Sequence, residues 1–300
     1  MANRVIAALY FVSISFLMNA QDSTFLNVLE DTVDKQWNPP TTAIFKATQI
    51  VNTPTVEAPA EGGLQFMIMH RFGRINEGSY ALFGLDNATI RFALDYGLTD
   101  RLAVGIGRSS FEKVFDGSVK WKLIRQMPHK SPVAISLYAL IANTTQKYSD
   151  KSYLNARYRT MYTTQLLIAR KFTSNLSLQI SPAWVHYNLV PTPQDKNDVL
   201  AIGLGGRMKI TGRVSINAEY NLLPDNQVVS TNVDPSFSLG TDIETGGHVF
   251  QLVFTNSQGM IAPYYLGKTT GKWGKGDIYF GFNITRIFHL KGKQKRKKVP

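Results

Sequence analysis

Beyond residue 60, apolar and polar side chains alternate along the chain in a dozen separate stretches. The last stretch is the clearest. From Asp277 to Ile287, with Phe288 following, Ile278, Phe280, Phe282 and Ile284 fall on one side of an extended chain, and Tyr279, Gly281, Asn283 and Thr285 fall on the other. Strict period-two alternation marks a strand with one face in an apolar medium. A tilted strand needs about ten residues to cross a bilayer, whereas strands of soluble sandwiches are nearer roughly six. The pattern predicts strands over 64–72, 89–96, 102–108, 118–125, 133–144, 158–171, 176–187, 199–210, 214–222, 236–243, 248–255 and 277–288.

The connections also sort by length. Segments 97–100, 126–132, 172–175, 211–213 and 244–247 are tight, and between them lie the longer 73–88, 109–117, 145–157, 188–198, 223–235 and 256–276. Short turns at one end and long loops at the other are the asymmetry of a bacterial outer-membrane barrel, short in the periplasm and long outside. An even strand count leaves both termini on the turn side. The expected fold is therefore all-β: a transmembrane up-and-down antiparallel β-barrel of about 12 strands, with short periplasmic turns and longer extracellular loops. A soluble sandwich or propeller is the competing fold, but sandwich strands are shorter and their loops are not sorted this way.

Alternation assigns the faces as well. Ile90, Phe92, Leu94 and Tyr96 oppose Arg91, Ala93 and Asp95; Val119, Trp121 and Leu123 oppose Lys120 and Lys122; Leu200, Ile202, Leu204 and Met208 oppose Ala201, Gly203, Gly205, Arg207 and Lys209. A charge on the lipid face costs about 2–4 kcal/mol at mid-depth, so the apolar sets are expected to face lipid. Tyr96, Trp121, Tyr162, Trp184, Tyr220 and Phe288 then form an interfacial aromatic girdle.

Composition narrows the remaining choices. No run of 18 apolar residues exists, which excludes helical spans. The absence of cysteine removes disulfides, thiol catalysis and zinc–thiolate sites. Met1 to Ala20 reads as a cleaved signal peptide, with Arg4 as its basic region and an apolar core from Val5 to Met18, although Met18 is a poor fit three residues before the cut. Residues 21–60 form an acidic periplasmic N-terminal segment, with a short helix expected over 24–33 and Pro39-Pro40 ending it. Segment 43–52 is strand-like in content but alternates poorly, which leaves a lumenal plug, an extra edge strand or a periplasmic collar open. Of the net charge of +12, the tail from Lys291 to Lys298 supplies six, and the barrel segment 61–290 keeps +8.

The predicted lumenal face carries Arg71, Arg91, Arg101, Lys120, Lys122, Lys171, Arg207 and Lys209 against Asp95, Glu219, Asp242 and Glu244. In a water-filled lumen such a field enriches anions, which suggests a narrow channel for small polar or anionic solutes. If the charges pair across the lumen they plug it, and the barrel is a non-enzymatic structural or accessory member of a larger outer-membrane assembly. Catalysis finds little support: there is no Gly-x-Ser-x-Gly elbow, His70, His129, His186, His248 and His289 are scattered, and Ser118 and Ser181 are no more than candidate hydroxyls. Asp150, Asp195 and Asp198 are loop acids without metal spacing, and the glycine- and lysine-rich stretch from Gly267 to Gly276 lacks the phosphate-loop spacing. No cofactor and no metal is expected. The partners expected are outer-membrane lipid, an anionic solute, and an envelope protein docking on 21–60 or on the tail from Lys291 to Lys298; nucleic acid is not among them.

Four motifs carry a family resemblance: Gly63-Leu-Gln-Phe with His70-Arg-Phe-Gly; Gly97-Leu-Thr-Asp-Arg; Gly246-Gly-His-Val-Phe-Gln with Thr255-Asn-Ser-Gln-Gly-Met; and Trp273-Gly-Lys-Gly-Asp-Ile leading to Gly281-Phe-Asn-Ile. Through them the stretch 43–288 resembles an outer-membrane β-barrel family of Bacteroidota, a domain of unknown function. The resemblance implies export and a barrel, and no particular activity. The basic tail beyond Phe288 departs from a barrel that ends on its last strand.

Overall fold

The computed structural model describes residues 39–290. The predicted signal peptide, the helix expected over 24–33 and the basic tail lie outside the described residues. Twelve strands close into one barrel: β1 (Gly63–Arg74), β2 (Ala88–Gly97), β3 (Leu102–Ser109), β4 (Val114–Ile124), β5 (Ala134–Thr144), β6 (Thr160–Lys171), β7 (Leu176–Tyr187), β8 (Asp198–Lys209), β9 (Val214–Leu222), β10 (Ser236–Thr245), β11 (His248–Thr255) and β12 (Tyr279–His289). Each strand pairs antiparallel with its sequence neighbours, and β12 returns to β1 with Ile68 opposite Ile284 and Leu64 opposite Phe288. Closure leaves no free sheet edge, as a bilayer requires of any strand that crosses it.

Period-two alternation is what makes the wall. In β1, Gly63, Gln65, Met67, Met69 and Arg71 turn inward while Leu64, Phe66, Ile68, His70 and Phe72 turn outward. The outward residues of other strands are left uncovered by protein, Ile106, Leu200 and Met208 among them, as lipid-facing side chains must be. Tyr96, Trp121, Tyr162, Trp184, Tyr220 and Phe288 all belong to the outward set. One boundary differs by four residues from expectation. β4 starts at Val114 rather than Ser118, because a single tight helical turn, Phe111–Lys113, replaces the long connection that the sequence suggested.

The barrel is not hollow. From the short-turn end, residues 40–60 enter the lumen as a hairpin whose arms are tied by the Gln49–Pro54 bridge and by Thr55 N–H donating to the Thr48 carbonyl at 2.9 Å. Of the three paths left open for this segment, it takes the plug. From the long-loop end, the connection between β11 and β12 folds inward and carries a short helix, α1 (Ala262–Gly267), every residue of which is buried. Pro263 at the start of α1 suits a first turn whose N–H groups have no helical partner. Among the described residues the buried hydrophobic clusters therefore lie inside the barrel. One packs α1 against Leu140, Val185 and Val199, and another packs Ile44, Phe45, Ile50 and Val56 of the plug against Ala134, Leu167 and Ala169.

Candidate functional site: an occluded lumen

Backbone groups in an irregular hairpin have no ladder partners, so a hairpin buried in a barrel must find them on the wall. The plug tip finds them chiefly on β9. The Glu219 carboxylate, 1% exposed, accepts N–H groups from Val51 at 3.1 Å, Asn52 at 3.0 Å and Thr53 at 2.9 Å. Carbonyls leave the same tip in other directions. That of Ile50 accepts from Gln251 at 3.0 Å, and that of Val51 accepts from Asn283 at 3.0 Å. Lower on the plug, the Pro54 carbonyl accepts from Gln179 at 2.8 Å and the Val56 carbonyl from Ser136 at 3.2 Å. Small wall residues give the tip its seat. A Cβ at Gly205 would lie 2.3 Å from Ile50 Cδ1, and one at Gly240 would lie 3.0 Å from Val51 Cγ2.

The predicted lumenal charges are largely spent on this arrangement. Arg71 is fully buried; its guanidinium donates to Asn52 Oδ1 of the plug and to Asn283 Oδ1, both at 2.9 Å, and Glu219 supplies the electrostatic counter-charge. Lys120 donates to the carbonyls of Thr48 at 3.3 Å and Glu57 at 2.8 Å, Lys122 to that of Ala58 at 3.3 Å, and Lys171 to that of Thr42 at 3.1 Å. Arg207 pairs with Glu244 at 3.1 Å and lies 3.8 Å from Asp242, while Lys46 of the plug reaches Glu244 at 2.9 Å. Asp242 accepts from Asn217 at 2.5 Å and Gln251 at 2.7 Å, and Asp95 accepts from Gln65 at 3.2 Å. Lys209 sits in the lumenal phase at the short-turn mouth, with no carboxylate within 4.0 Å among the described residues.

Arg101 is a correction. It occupies the exposed turn between β2 and β3, at the rim and outside the lumen, because β3 begins only at Leu102 and the turn residues have left the pleat. Of the two lumens left open, water-filled or plugged by paired charges, this conformation has the plugged one, filled by residues 40–60 as well as by charge pairs. Between the plug and β2–β5 the space left beside Arg91, Asp95, Ser118 and Lys120 amounts to about 30 Å³, room for no more than a few waters.

Three groups of lumenal residues escaped the sequence reading. Asp116 binds Arg91 in a two-pronged pair, at 2.6 and 3.1 Å; starting β4 too late had removed it from the inward set. The neutral amides Gln65, Gln165, Gln179, Asn217, Gln251 and Asn283 all face inward and are buried. Their place in the alternation marked them, but attention to charge passed over them. The third group is the apolar inner wall beneath α1, for which the signal was the run from Met260 to Leu266 inside a surface loop.

Candidate hydroxyls and imidazoles stand on opposite faces of the wall. Ser118 and Ser181 point inward, and His70, His186 and His248 point outward, so no such pair converges. At the long-loop rim His186 Nδ1 instead meets Asp198 Oδ1 at 2.8 Å, and Trp184 Nε1 donates to the same oxygen at 2.9 Å. Among the described residues no group of three or more acids and histidines converges as a metal site would.

Comparison with known proteins adds the following. The family described as a membrane-bound beta barrel domain (DUF5777) matches residues 45–288. Among solved structures, the chain is similar to the NanC porin at 8% identity and a TM-score of 0.47, covering 75% of this chain and 98% of that one. It is also similar to an outer membrane channel from Pseudomonas putida F1 at 12% identity and a TM-score of 0.46, covering 77% and 97%. No curated protein matches it.

Proposed function

The chain belongs to the family of membrane-bound beta barrel domains, and from that premise we propose that it is an outer-membrane barrel whose own N-terminal segment is its stopper. The closed form does not conduct. Withdrawal of residues 40–60 clears the half of the lumen that α1 does not fill and opens a narrow path for small anions beside α1. The observation that carries this reading is the chemistry of the plug–wall contact: beside the apolar seat of Ile44, Phe45, Ile50 and Val56 and the side-chain pairs Arg71–Asn52 and Lys46–Glu244, it is made of side chains gripping backbone. Glu219 holds three N–H groups of the tip, and Lys120, Lys122 and Lys171 hold four carbonyls along its arms. Water can replace such contacts one for one, so the net cost of parting each is only about 0.5–1.5 kcal/mol, rising to about 3 where a charge takes part.

Once freed, those lysines would line the passage. The wall then presents Arg71, Arg91, Lys120, Lys122, Lys171, Arg207 and Lys209 against Asp95, Asp116, Glu219, Asp242 and Glu244, a cationic excess between low-dielectric walls. The outward apolar face would meet outer-membrane lipid, with the short turns in the periplasm and both barrel ends on that side.

The test is conductance in planar bilayers. The full chain should be silent, and a variant lacking 40–60 should give stepwise currents whose reversal potential in a KCl gradient shifts toward chloride. Steady conductance from the full chain would refute the stopper. A second reading, a permanently shut accessory barrel in an envelope assembly, draws on α1, which fills the other half of the lumen against an apolar wall. On that reading the shortened variant stays silent, and a co-purifying partner is lost when 291–300 are removed.

A further inference from the structure

We infer that the vestibule at the long-loop end, walled by segments 145–159, 188–197 and 223–235, is a binding site for an amphipathic organic anion: an apolar ring or short chain bearing one carboxylate. The cavity measures about 630 Å³ and is floored by Tyr187, Met161 and the Gly267–Lys268 end of α1. That volume lies within the range of about 300–1,000 Å³ usual for small-molecule sites.

Three properties of the vestibule define the ligand. The first is an apolar body, supplied by Leu189, Val190, Val228 and Val233 together with the rings of Tyr153 and Tyr158. Tyr153 is 59% exposed although it stands in a concave wall, and a large ring left open to water in a cavity offers area to be buried. The second is an excess of positive charge. Lys151, Arg159, Lys196 and Lys268 line the cavity with only Glu112 and Asp195 as acids. Lys268 lies 4.0 Å from Glu112, which already accepts the Tyr264 hydroxyl at 2.8 Å. Lys151 stacks its ammonium 5.0 Å from the Tyr148 ring, and neither it nor Lys196 reaches a carboxylate within 4.0 Å among the described residues.

The third property is rigidity. Asp195 binds across to the neighbouring loop, accepting Val229 N–H at 2.7 Å and Ser230 N–H at 2.9 Å, with the Thr192 hydroxyl at 2.8 Å. Burial pulls its ionisation upward, but these donors prevail and hold it well below the usual carboxylate range, so it stays ionised and occupied. Gln227 spans to both the N–H and the carbonyl of Leu200, at 2.7 and 2.8 Å. Arg159 folds its own loop by donating to the carbonyls of Leu154 and Gln146. A cavity built this way is formed before the ligand arrives, which lowers the ordering cost of binding.

The site does not depend on the barrel ever opening, and equilibrium binding tests it separately from conductance. The full chain is reconstituted in nanodiscs, and 2-naphthoate and its neutral counterpart 2-naphthalenemethanol are titrated by calorimetry, with empty nanodiscs subtracted. Saturable naphthoate binding is expected, weakened about tenfold or more in the double variant Lys151→Gln/Lys196→Gln and also weakened in Val228→Asn, while the neutral compound shows no loss with the lysine variant. The substitutions are at loop residues, so the heat-modifiable electrophoretic mobility of a folded barrel should be retained and checks each protein. Naphthoate uptake no greater than that of empty nanodiscs, or equal affinity in the lysine variant, overturns the assignment.

Discussion

Replacing Glu219 by Gln isolates the grip on the plug tip. The two side chains have the same shape, so the wall keeps its packing, but the amide offers one acceptor oxygen where the carboxylate offered two and turns an N–H₂ toward backbone N–H donors. Oε2 contacts Val51 at 3.1 Å and Thr53 at 2.9 Å, while Oε1 contacts Asn52 at 3.0 Å. Whichever way the amide is set, at least one charge-assisted bond is lost and the others weaken to neutral strength. A charge-assisted bond contributes about 1.5–3 kcal/mol and a neutral one about 1, so the tip should lose about 2–4 kcal/mol. Converted at 1.4 kcal/mol per decade, that is a roughly 30- to 700-fold rise in the population of the released tip. Arg71, which shares the tip through Asn52, loses its counter-charge in the same step. Hydrogen exchange read by mass spectrometry on peptides covering 45–60 measures the effect directly, because amides protected only by the plug–wall contact exchange through local release. Peptides from β7 and β8, with their ladder intact, should keep their protection and act as the internal control. Unchanged exchange over 50–54 would refute the claim that Glu219 holds the stopper.

Two further expectations concern ion pairs. Asp116→Asn should destabilise the barrel by about 3–5 kcal/mol, since it strands the guanidinium of Arg91, 5% exposed, in the wall; the double change Arg91→Met/Asp116→Leu should recover most of the loss, with the urea midpoint of the heat-modifiable band as the readout. Asp277 is held below the ordinary carboxylate range by the Asn76 side chain at 2.9 Å, the Lys272 N–H at 3.0 Å and Arg74 at 3.3 Å. A depressed value means that its contribution is complete above the unfolded value of about 3.9 and is lost as pH falls through the lower folded value. Docking of segment 272–278 should therefore be unaffected by pH between 5 and 8 and loosen only under stronger acid, whereas Asp277→Asn should loosen it at neutral pH; the rate of proteolytic cleavage in that segment reports both.

Sequence and structure divide the protein along the range of the interactions involved. Alternation is a property of neighbouring residues, and lipid imposes it on most of the outer face, so all twelve strands, most of their inward and outward sets, the outward placing of the girdle aromatics and the sorting of most turns from loops were legible in the sequence. What fills the barrel could not. Val51 and Glu219 are 168 positions apart, and Asn283 and Val51 are 232 apart, and no local period links them. The segment around residue 50 alternates poorly because it is wrapped by wall on every side, which removes the pressure that makes a pattern. The lumenal charges were visible one by one. Most of their partners were not, because Lys120, Lys122 and Lys171 bind backbone carbonyls of the plug, and every residue carries such a carbonyl. The inner apolar wall under α1 broke the simplest rule, that greasy side chains face lipid. Val185 and Val199 face inward and stay dry because α1, arriving from a loop more than sixty residues further on, covers them. Alternation alone fixed the wall; the tertiary structure decided that the lumen is occupied.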